Sequence, residues 1–312
     1  MLMTDRTEME EKNIVLVADT EQEDERIDKV LAAYMEDVSR SFLQKLLKEG
    51  RVLVNERPVR ASYRVRENDV IVFQIPPAVE PDILAEDIPL SVLYEDEDVL
   101  VVDKPKGMVV HPAPGHYSGT LVNAIMFHCK DGLSGINGVL RPGIVHRIDR
   151  DTTGSVIICK NDFAHQEIAA QLKEHSINRK YHAIVCGRLH DKEGTITGAI
   201  GRDKKDRKKM AICPEGKPAV THFRVLQEFS AYTYVECKLE TGRTHQIRVH
   251  MASIGHPLLG DEVYGRKSSS FQLQGQCLHA KTLGFVHPVT KKYVEVDAPL
   301  PAYFQHLLEI LK

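Results

Sequence analysis

Near its middle the chain carries the stretch Arg141-Pro-Gly-Ile-Val-His-Arg-Ile-Asp-Arg-Asp-Thr-Thr-Gly154, followed by the apolar run Ser155-Val-Ile-Ile-Cys159. The β-branched residues on both sides predict two strands joined by a tight polar connection at a sheet end. Asp149 is flanked by Arg147 and Arg150, and opposite charge that close favours the ionised carboxylate that a nucleophile needs. On spacing alone, however, an ordinary turn in which this aspartate accepts local backbone hydrogen bonds is the more common explanation.

A family resemblance changes that balance. The segment His146-Arg-Ile-Asp149-Arg-Asp-Thr-Thr-Gly154 resembles the catalytic motif of the RluA-type pseudouridine synthases, H-R-L-D-x-x-T-[ST]-G, with Ile148 in place of the usual leucine. The resemblance implies that Asp149 is the catalytic aspartate, which converts a uridine within RNA to pseudouridine. It also implies that Arg147 enters the RNA stack and fills the space left by the flipped uridine. His146 is predicted to bind substrate beside it.

Length and composition set wider limits. The 312 residues, 42% of them hydrophobic, suffice for one large domain and one small one. The first twelve residues lack an apolar signal-peptide core, and no apolar stretch of about 18 residues occurs, so we expect a cytoplasmic protein without membrane contact. The cysteines lack C-x-x-C spacing and read as reduced core residues, neither disulfides nor zinc ligands; they are Cys129, Cys159, Cys186, Cys213, Cys237 and Cys277.

The net charge of −3 is unevenly distributed. Residues 1–25 hold nine acidic and two basic side chains, and residues 76–99 hold eight acidic and no basic ones, as expected for a solvated tail and a linker. Residues 26–75 carry ten basic against seven acidic side chains, and residues 100–312 carry 29 against 20. The two candidate folded parts are therefore net positive, and each could attract phosphate.

The first candidate domain begins near Arg26 with apolar residues at helical spacing. The run Ser39-Arg-Ser-Phe-Leu-Gln-Lys-Leu-Leu-Lys-Glu-Gly-Arg-Val-Leu-Val-Asn55 then resembles an S4 RNA-binding domain. Lys45, Lys48 and Arg51 would form a basic edge, which by itself is most simply a solvated helix face. The resemblance implies that this basic edge meets structured RNA.

A second motif lies in Arg179-Lys-Tyr-His-Ala-Ile-Val-Cys-Gly187, whose alternation predicts a strand. A lone tyrosine in such a strand is ordinarily a half-buried packing residue. The segment is similar to the family pattern [KR]-x-Y-x-A-x-V-x-G, which implies that Tyr181 contacts the target base and acts as a general base. Stacking on a flipped base suits a phenol ring.

The third motif is Leu239-Glu-Thr-Gly-Arg-Thr-His-Gln-Ile-Arg-Val-His-Met-Ala-Ser-Ile-Gly255. We predict a helix here with Thr244 as N-cap and Gly255 just past its end. His245 and His250 are five residues apart. That spacing places them together neither on one face of a helix nor on one face of a strand, so it does not favour a zinc site. The segment resembles the family's T-G-R-T-H-Q-I-R-V-H, which implies that Arg248 pairs with the catalytic aspartate.

Two further stretches bear on binding. Gly201-Arg-Asp-Lys-Lys-Asp-Arg-Lys-Lys-Met210 is the strongest basic cluster and predicts a hairpin loop that reaches a phosphate backbone, although a solvated loop explains it equally well. The glycines near the start of the second domain form neither a G-x-G-x-x-G nor a Walker pattern, so we predict no nucleotide cofactor.

Together these features predict an α+β protein: a small S4-type RNA-binding domain followed by a pseudouridine synthase catalytic domain with a largely antiparallel central sheet. The expected boundaries are an acidic segment at 1–25, the S4-like domain at 26–75, a proline-containing linker at 76–89 and the catalytic domain at 90–312. The resemblance implies an RNA partner, with 23S ribosomal RNA as the leading candidate. We expect a monomer without metal or cofactor. It leaves open whether Asp149 attacks C1′, adds to uracil C6 or supports a glycal route.

Two other functions fit parts of the pattern. A non-catalytic RNA-binding or ribosome-assembly protein would use the S4-like domain and the basic loop alone, but it has no use for an arginine-paired carboxylate. A retaining glycosidase would need a carboxylate pair, for which Asp151 is the only neighbour of Asp149. The turn explains Asp151 better.

Overall fold

The computed structural model describes residues 12–35, 40–75, 83–112, 116–130, 132–136, 138, 141–206, 209–265, 271 and 273–311. The chain forms two compact units, Met1–Glu80 and Pro81–Lys312. Among the described residues, no helix has the length and apolar character needed to cross a bilayer.

The first unit packs two helices on a four-stranded antiparallel sheet. In chain order its elements are β1 (Lys12–Val17), α1 (Ile27–Tyr34), α2 (Arg40–Lys48), β2 (Val52–Val54), β3 (Arg57–Pro58) and β4 (Val70–Ile75), and the strand order is β1-β4-β2-β3. Ile27, Leu31, Leu43 and Phe73 are fully buried between the layers, as the helical spacing of the apolar residues predicts. Gly50 has φ +71°, which lets the chain turn sharply after α2.

Strand β1 was not expected, because the surrounding residues are acidic. It pairs with β4 along its whole length, from Lys12 opposite Ile75 to Val17 opposite Val70. The apolar run at 14–17 carries the strand signal, with Leu16 buried and Val15 exposed. The charge total of residues 1–25 concealed this run, so the expectation of a solvated tail is wrong for residues 12–17. Residues 1–11, and residues 76–82 of the predicted linker, lie outside the described part of the chain.

The second unit is built on a nine-stranded sheet. Its first elements are β5 (Ser91–Glu95), β6 (Val99–Lys104), α3 (Leu121–Cys129), β7 (Thr153–Cys159), α4 (Asp162–Lys173), β8 (Asn178–Cys186), β9 (Glu193–Thr197), β10 (Ile200–Arg202) and β11 (Met210–Ile212). They are followed by β12 (Val220–Glu228), β13 (Tyr232–Leu239), α5 (Gln246–Ser253), β14 (Leu278–Val286), β15 (Tyr293–Asp297) and α6 (Ala302–Ile310).

The strand order is β5-β6-β7-β14-β8-β13-β12-β9, with β15 paired to β14, while β10 and β11 form a separate hairpin. Every pairing in the large sheet is antiparallel except that of β7 with β14. The prediction of a largely antiparallel central sheet is therefore confirmed.

Helices cover both faces of this sheet, which explains why β7 is buried along its whole length and apolar from Val156 to Cys159. Val156 and Ile158 face one core, which also contains residues of α3 and α5. Ile157 and Cys159 face the opposite core, which contains residues of α4. The second strand predicted near residue 144 is only a single bridge between Ile144 and Ile158.

Candidate active site

A cavity of about 530 Å³ opens in the second unit, on the α5 side of the sheet. Three segments supply most of its wall: the loop before β7, the start of β8, and the end of β13 with α5. The residues that line it are Val145, His146, Arg147, Ile148, Asp149, Thr152, Leu172, Lys173, His175, Arg179, Tyr181, Leu239, Gly242, Arg243, His245, Gln246, Ile247, Arg248 and Leu278. The three sequence motifs thus meet at one place.

A buried arginine joins the first motif to the third. Arg248 Nη1 donates a hydrogen bond to Asp149 Oδ2 at 2.9 Å, across 99 residues of sequence. The Arg248 side chain is 7% exposed and that of Asp149 is 18% exposed. The contact expected from the family resemblance is therefore present. The role of this contact in the reaction stays a prediction.

Asp261 holds the other side of the Arg248 guanidinium. Arg248 Nε donates to Asp261 Oδ2 at 2.7 Å and Nη2 donates to Oδ1 at 2.9 Å, a bidentate pair. Asp261 Oδ1 also accepts the backbone N–H groups of Val263 and Tyr264. Asp261 has no role predicted from the sequence, since no spacing rule links a turn aspartate to an arginine on the preceding helix.

The charge of Arg248 is stabilised by this arrangement. Burial alone lowers the pKa of the Arg248 guanidinium, but the hydrogen bonds and negative charges of Asp261 and Asp149 outweigh that effect and raise it overall. Its guanidinium also lies 5.1 Å from the centre of the Tyr264 ring. A permanently charged, rigidly oriented donor therefore faces the Asp149 carboxylate.

The loop that presents Asp149 is fixed from behind by a buried lysine. Lys104 is fully buried, and its Nζ donates to the carbonyl oxygens of Pro105, Met108 and Arg150 at 2.8–3.0 Å. The Gly107 N–H donates to the same Arg150 carbonyl at 3.0 Å. The backbone on the C-terminal side of Asp149 is thus held by two donors.

His146 anchors the other side of the loop. Its Nε2 accepts a hydrogen bond from the Ile157 N–H at 3.0 Å. Burial, together with the smaller effect of the nearby Arg179 charge, lowers the pKa of His146 to about 3. A neutral imidazole in this position ties the loop to β7. The substrate-binding role given to His146 stays a prediction.

Tyr181 lies in the cavity wall and is 8% exposed. Burial raises the pKa of the Tyr181 phenol; the charge of Arg179 opposes this shift and that of Asp149 adds to it. A phenol with a raised pKa keeps its proton at neutral pH. Arg147, in contrast, is exposed at the cavity wall, where a bound RNA could reach it.

Helix α5 begins one residue later than predicted. Its N-cap is His245, in the left-handed region with φ +56°, and not Thr244. Gln246 Oε1 accepts the Arg243 N–H at 2.9 Å, which fixes the turn into the helix. Gly255, with φ +85°, follows the end of the helix as predicted.

The two histidines of this segment have separate surroundings. His245 Nδ1 lies 2.8 Å from the Tyr264 hydroxyl, and its Nε2 lies 3.9 Å from Asp149 Oδ2. His250 lies on α5 and is buried, and its Nδ1 lies 2.9 Å from Thr221 Oγ1. They therefore do not converge on a common ligand.

The comparison with known proteins agrees with this geometry. Residues 98–253 match the family model described as RNA pseudouridylate synthase, and residues 25–71 match that of the S4 domain. An uncharacterized RNA pseudouridine synthase of Bacillus subtilis, YlyB, is 54% identical over 300 residues, which cover 96% of this chain and 98% of that protein. This chain belongs to the RNA pseudouridine synthase family.

Other pseudouridine synthases are similar over nearly the same span. The ribosomal large subunit pseudouridine synthase D of Zymomonas mobilis is 46% identical over 297 residues, covering 92% of this chain and 93% of that protein. The solved structure of human RNA pseudouridylate synthase domain containing 1 is 26% identical, has a TM-score of 0.57 and covers 75% of this chain and 97% of that one. The expected family, its S4 domain and its isomerase activity are thereby confirmed.

The basic edge of the S4 domain differs from the synthase cavity. Lys45 Nζ and Arg51 Nε lie 3.7 and 3.8 Å from the Glu49 carboxylate, and the side chains of Lys45 and Arg51 are 67% and 36% exposed. Lys48 is also exposed. These cations keep much of their charge available to a partner in solution.

The predicted basic loop of the synthase domain is the turn between β10 and β11. Lys204 Nζ pairs with Glu215 at 2.7 Å, and Asp203 Oδ1 accepts the backbone N–H groups of residues 205 and 206. The Met210 N–H donates to the Tyr264 hydroxyl, so the hairpin is tied to the loop that carries Asp261. Residues 207–208 lie outside the described part of the chain.

Two other groups of acidic residues are engaged with the protein itself. Asp151 accepts hydrogen bonds from the neighbouring Arg150 at 3.0 and 3.2 Å and is not part of the cavity wall, which removes the carboxylate pair that a glycosidase needs. Asp96, Asp98 and His287 are close enough to hold a metal, but His287 Nε2 is bonded to Asp96 at 2.7 Å and Nδ1 accepts two backbone N–H groups.

Proposed function

We propose that this pseudouridine synthase isomerises uridines of large-subunit (23S) ribosomal RNA, with Asp149 as the reactive carboxylate. The choice of RNA is supported by the similarity to proteins named ribosomal large subunit pseudouridine synthase D from Zymomonas mobilis and from Pseudomonas aeruginosa, at 46% and 43% identity. The choice of carboxylate is supported above all by the hydrogen bond from Arg248 to Asp149 in the cavity.

The reaction places few demands on the protein beyond one well-oriented group. The C1′–N1 glycosidic bond breaks and leaves its electron pair on N1, the uracil turns, and C5 bonds to C1′; C5 then loses its proton and N1 gains one, directly or through solvent. Arg248 holds Asp149 Oδ2, and Oδ1 has no hydrogen-bond donor among the described residues, so we assign Oδ1 as the oxygen that meets the nucleotide. Asp261 keeps the arginine in place as charge develops.

The cavity suits a nucleotide that has left the helix. A volume of about 530 Å³ lies within the usual range for small-ligand sites, and the apolar and aromatic part of the wall includes Tyr181, Leu239 and Ile247. A uridine turned out of the RNA stack would lie against the Tyr181 ring. The raised pKa favours contact by a neutral phenol over a general-base role, which needs the phenolate. Arg147 would fill the gap left in the RNA.

The test has two arms. Pseudouridines in ribosomal and transfer RNA are mapped in cells with and without the gene, and purified enzyme is then incubated with the corresponding unmodified RNA. We expect specific large-subunit signals to vanish from the cells and to reappear in vitro. An unchanged map would favour a non-catalytic binding role, and a loss confined to transfer RNA would overturn the assignment of substrate.

A further inference from the structure

Arg179 is a buried cation in the wall of the synthase cavity. Its side chain and that of Tyr181 are two residues apart on β8, so both project from the same face of the strand. Arg179 is 7% exposed. Nη2 donates to the Glu240 carbonyl oxygen at 3.2 Å, while Nε is buried and has no hydrogen-bond partner among the described residues.

Arg179 also differs from Arg248 in its charge balance. Arg248 faces two carboxylates, whereas no described carboxylate lies within ion-pair distance of Arg179. The cavity wall also contains the cations Arg147, Lys173, Arg243 and Arg248, and Arg243 Nε donates to the Pro218 carbonyl. A buried cation without a counter-charge is unfavourable, unless a ligand supplies the anion.

The backbone is shaped to accept this guanidinium. A Cβ atom at Gly242 would lie 2.7 Å from Arg179 Nη1, closer than any normal contact. The glycine of the T-G-R segment therefore leaves room for the guanidinium between β8 and the turn before α5. Both residues line the cavity. The arginine has a defined place in the wall, and its buried Nε–H has no acceptor among the described residues.

We propose that Arg179 binds a phosphodiester oxygen that flanks the target uridine. This inference rests on the proposed function, because it takes the cavity to receive a flipped nucleotide. Uracil and ribose are neutral, so the phosphodiester is the part of that nucleotide that offers a negative charge to offset the buried cation. A guanidinium also matches phosphate geometry with two donors. The exposed Lys173 at the rim extends the same positive path toward solvent.

The experiment measures coupling between the arginine and single phosphates. The probe is a stem-loop of large-subunit ribosomal RNA that loses its pseudouridine in cells without the gene, with one neutral methylphosphonate placed at each linkage near the target in turn. Binding is measured in an Asp149→Asn background so that the RNA stays unconverted. Arg179→Met is compared with Lys180→Met, which removes the adjacent charge from the opposite face of β8.

We expect Arg179→Met to weaken binding of the natural stem-loop by about tenfold or more, the worth of a charge-assisted hydrogen bond. One methylphosphonate should weaken binding to the parent by a similar factor and have no further effect on Arg179→Met. Lys180→Met should respond to every methylphosphonate as the parent does. Equal losses from each methylphosphonate in Arg179→Met and in the parent would overturn the proposal, and would point to a contact with a uracil carbonyl or to a structural role.

Stability gives a second readout. Removing an uncompensated buried charge should leave the thermal midpoint of the RNA-free protein unchanged or higher, whereas a structural arginine would lower it. Gly242→Ala keeps the charge but displaces the guanidinium, and should lose the same methylphosphonate coupling. A lower midpoint together with intact coupling in Gly242→Ala would overturn the proposal. Conversion of the stem-loop by the wild-type enzyme is measured alongside, so failure of the proposed function is seen separately.

Discussion

The basic edge of the S4 domain and the arginine of the synthase cavity use the same kind of charge in opposite ways. Lys45 is 67% exposed and Arg51 is 36% exposed, and both lie 3.7–3.8 Å from one shared carboxylate. Arg248 is 7% exposed and makes three hydrogen bonds of 2.7–2.9 Å to two carboxylates. Exposed charges are screened by salt and reorient at little cost, whereas buried ones are strong and fixed.

We therefore expect the two regions to control different measurements, RNA affinity in one case and the conversion rate in the other. Charges on the basic edge should set how tightly RNA is held and how strongly salt weakens that binding. The charges of Asp149, Arg248 and Asp261 should set how fast a bound uridine is converted. A variant of one region that changed the measurement assigned to the other region would contradict this expectation.

Asp149→Asn should have the largest effect. The substitution keeps the shape and a hydrogen-bond acceptor but removes the charge of the carboxylate that we propose is reactive. Conversion should fall to background under single-turnover conditions, while RNA binding persists or tightens because one negative charge is lost. Substantial product from a folded, RNA-binding variant would refute the role of Asp149. Loss of binding together with activity would favour the simple turn.

Asp261→Asn tests whether the orientation of Arg248 matters. The variant keeps the oxygen that accepts backbone N–H groups but weakens the bidentate pair. Misplacing a catalytic group by about 1 Å can reduce the rate about 100-fold, so we expect a fall in kcat of that order with KM unchanged. Recovery of kcat in Asp261→Glu would show that the negative charge at this position orients Arg248. A variant whose KM rises while kcat stays constant would contradict it.

The reciprocal change neutralises the basic edge. Replacing Lys45, Lys48 and Arg51 together by Gln removes three charges that we expect to contact phosphate, so affinity at low salt should fall about 30-fold and the slope of log affinity against log salt should become shallower. The single-turnover rate at saturating RNA should not change. Binding and its salt dependence are measured by titration at several salt concentrations.

The matched control replaces three other exposed cations of the S4 domain, Lys29, Arg57 and Arg60. If both triple variants lost affinity equally, the S4 domain would attract RNA by its total charge alone. The basic edge would then have no special role.

Arg147 shares a property with each region, since it is exposed like the basic edge but lines the cavity. Arg147→Lys tests its role. Lysine keeps the charge and loses the planar group that can stack on bases. We expect conversion of a folded stem-loop to slow by about tenfold, a barrier increase of about 1.4 kcal/mol. Conversion of an unstructured oligonucleotide should be nearly unaffected, because no stack must be refilled. Equal slowing of both substrates would indicate a role other than stacking.

The smallest effect concerns pH. The pKa of His146 is about 3 in the folded chain and near 6.5 when unfolded, so below pH 6.5 the unfolded state takes up protons that the folded state does not. Stability should therefore fall as pH falls, by roughly 0.7 kcal/mol between pH 7 and 6 from this group alone. His146→Gln keeps an acceptor for the Ile157 N–H and should remove that share of the decrease. Urea unfolding at both pH values measures it, with the basic-edge triple variant expected to behave like wild type.

Much of the site could be predicted from the sequence because its chemistry is carried by short local motifs. Asp149, Tyr181 and Arg248 each stand in a recognisable segment, and the structure brings all three to one cavity. The partners that hold them were harder to foresee. Asp261 and Lys104 act through tertiary contacts, for which no spacing in the chain gives a signal.

The fold shows the same division. Helix spacing predicted the S4 helices, and the β-branched run at 156–158 predicted β7, since these local patterns reflect burial. Strand β1 was missed because a count of charges over 25 residues hides four apolar ones. The N-cap of α5 was misplaced by one residue because the Gln246 side chain, and not Thr244, organises the turn.

The position of β14 has a consequence for how the enzyme is made. Within the described sheet, β14 joins β5, β6 and β7 to the group formed by β8, β13, β12 and β9. Asp149 precedes β7, while Tyr181 lies on β8 and Arg248 lies on α5, which follows β13. On a translating ribosome, synthesis proceeds toward the C-terminus, so residues 278–286 emerge long after these side chains. A nascent or prematurely terminated chain should thus remain inert, and activity should begin only when translation is nearly complete.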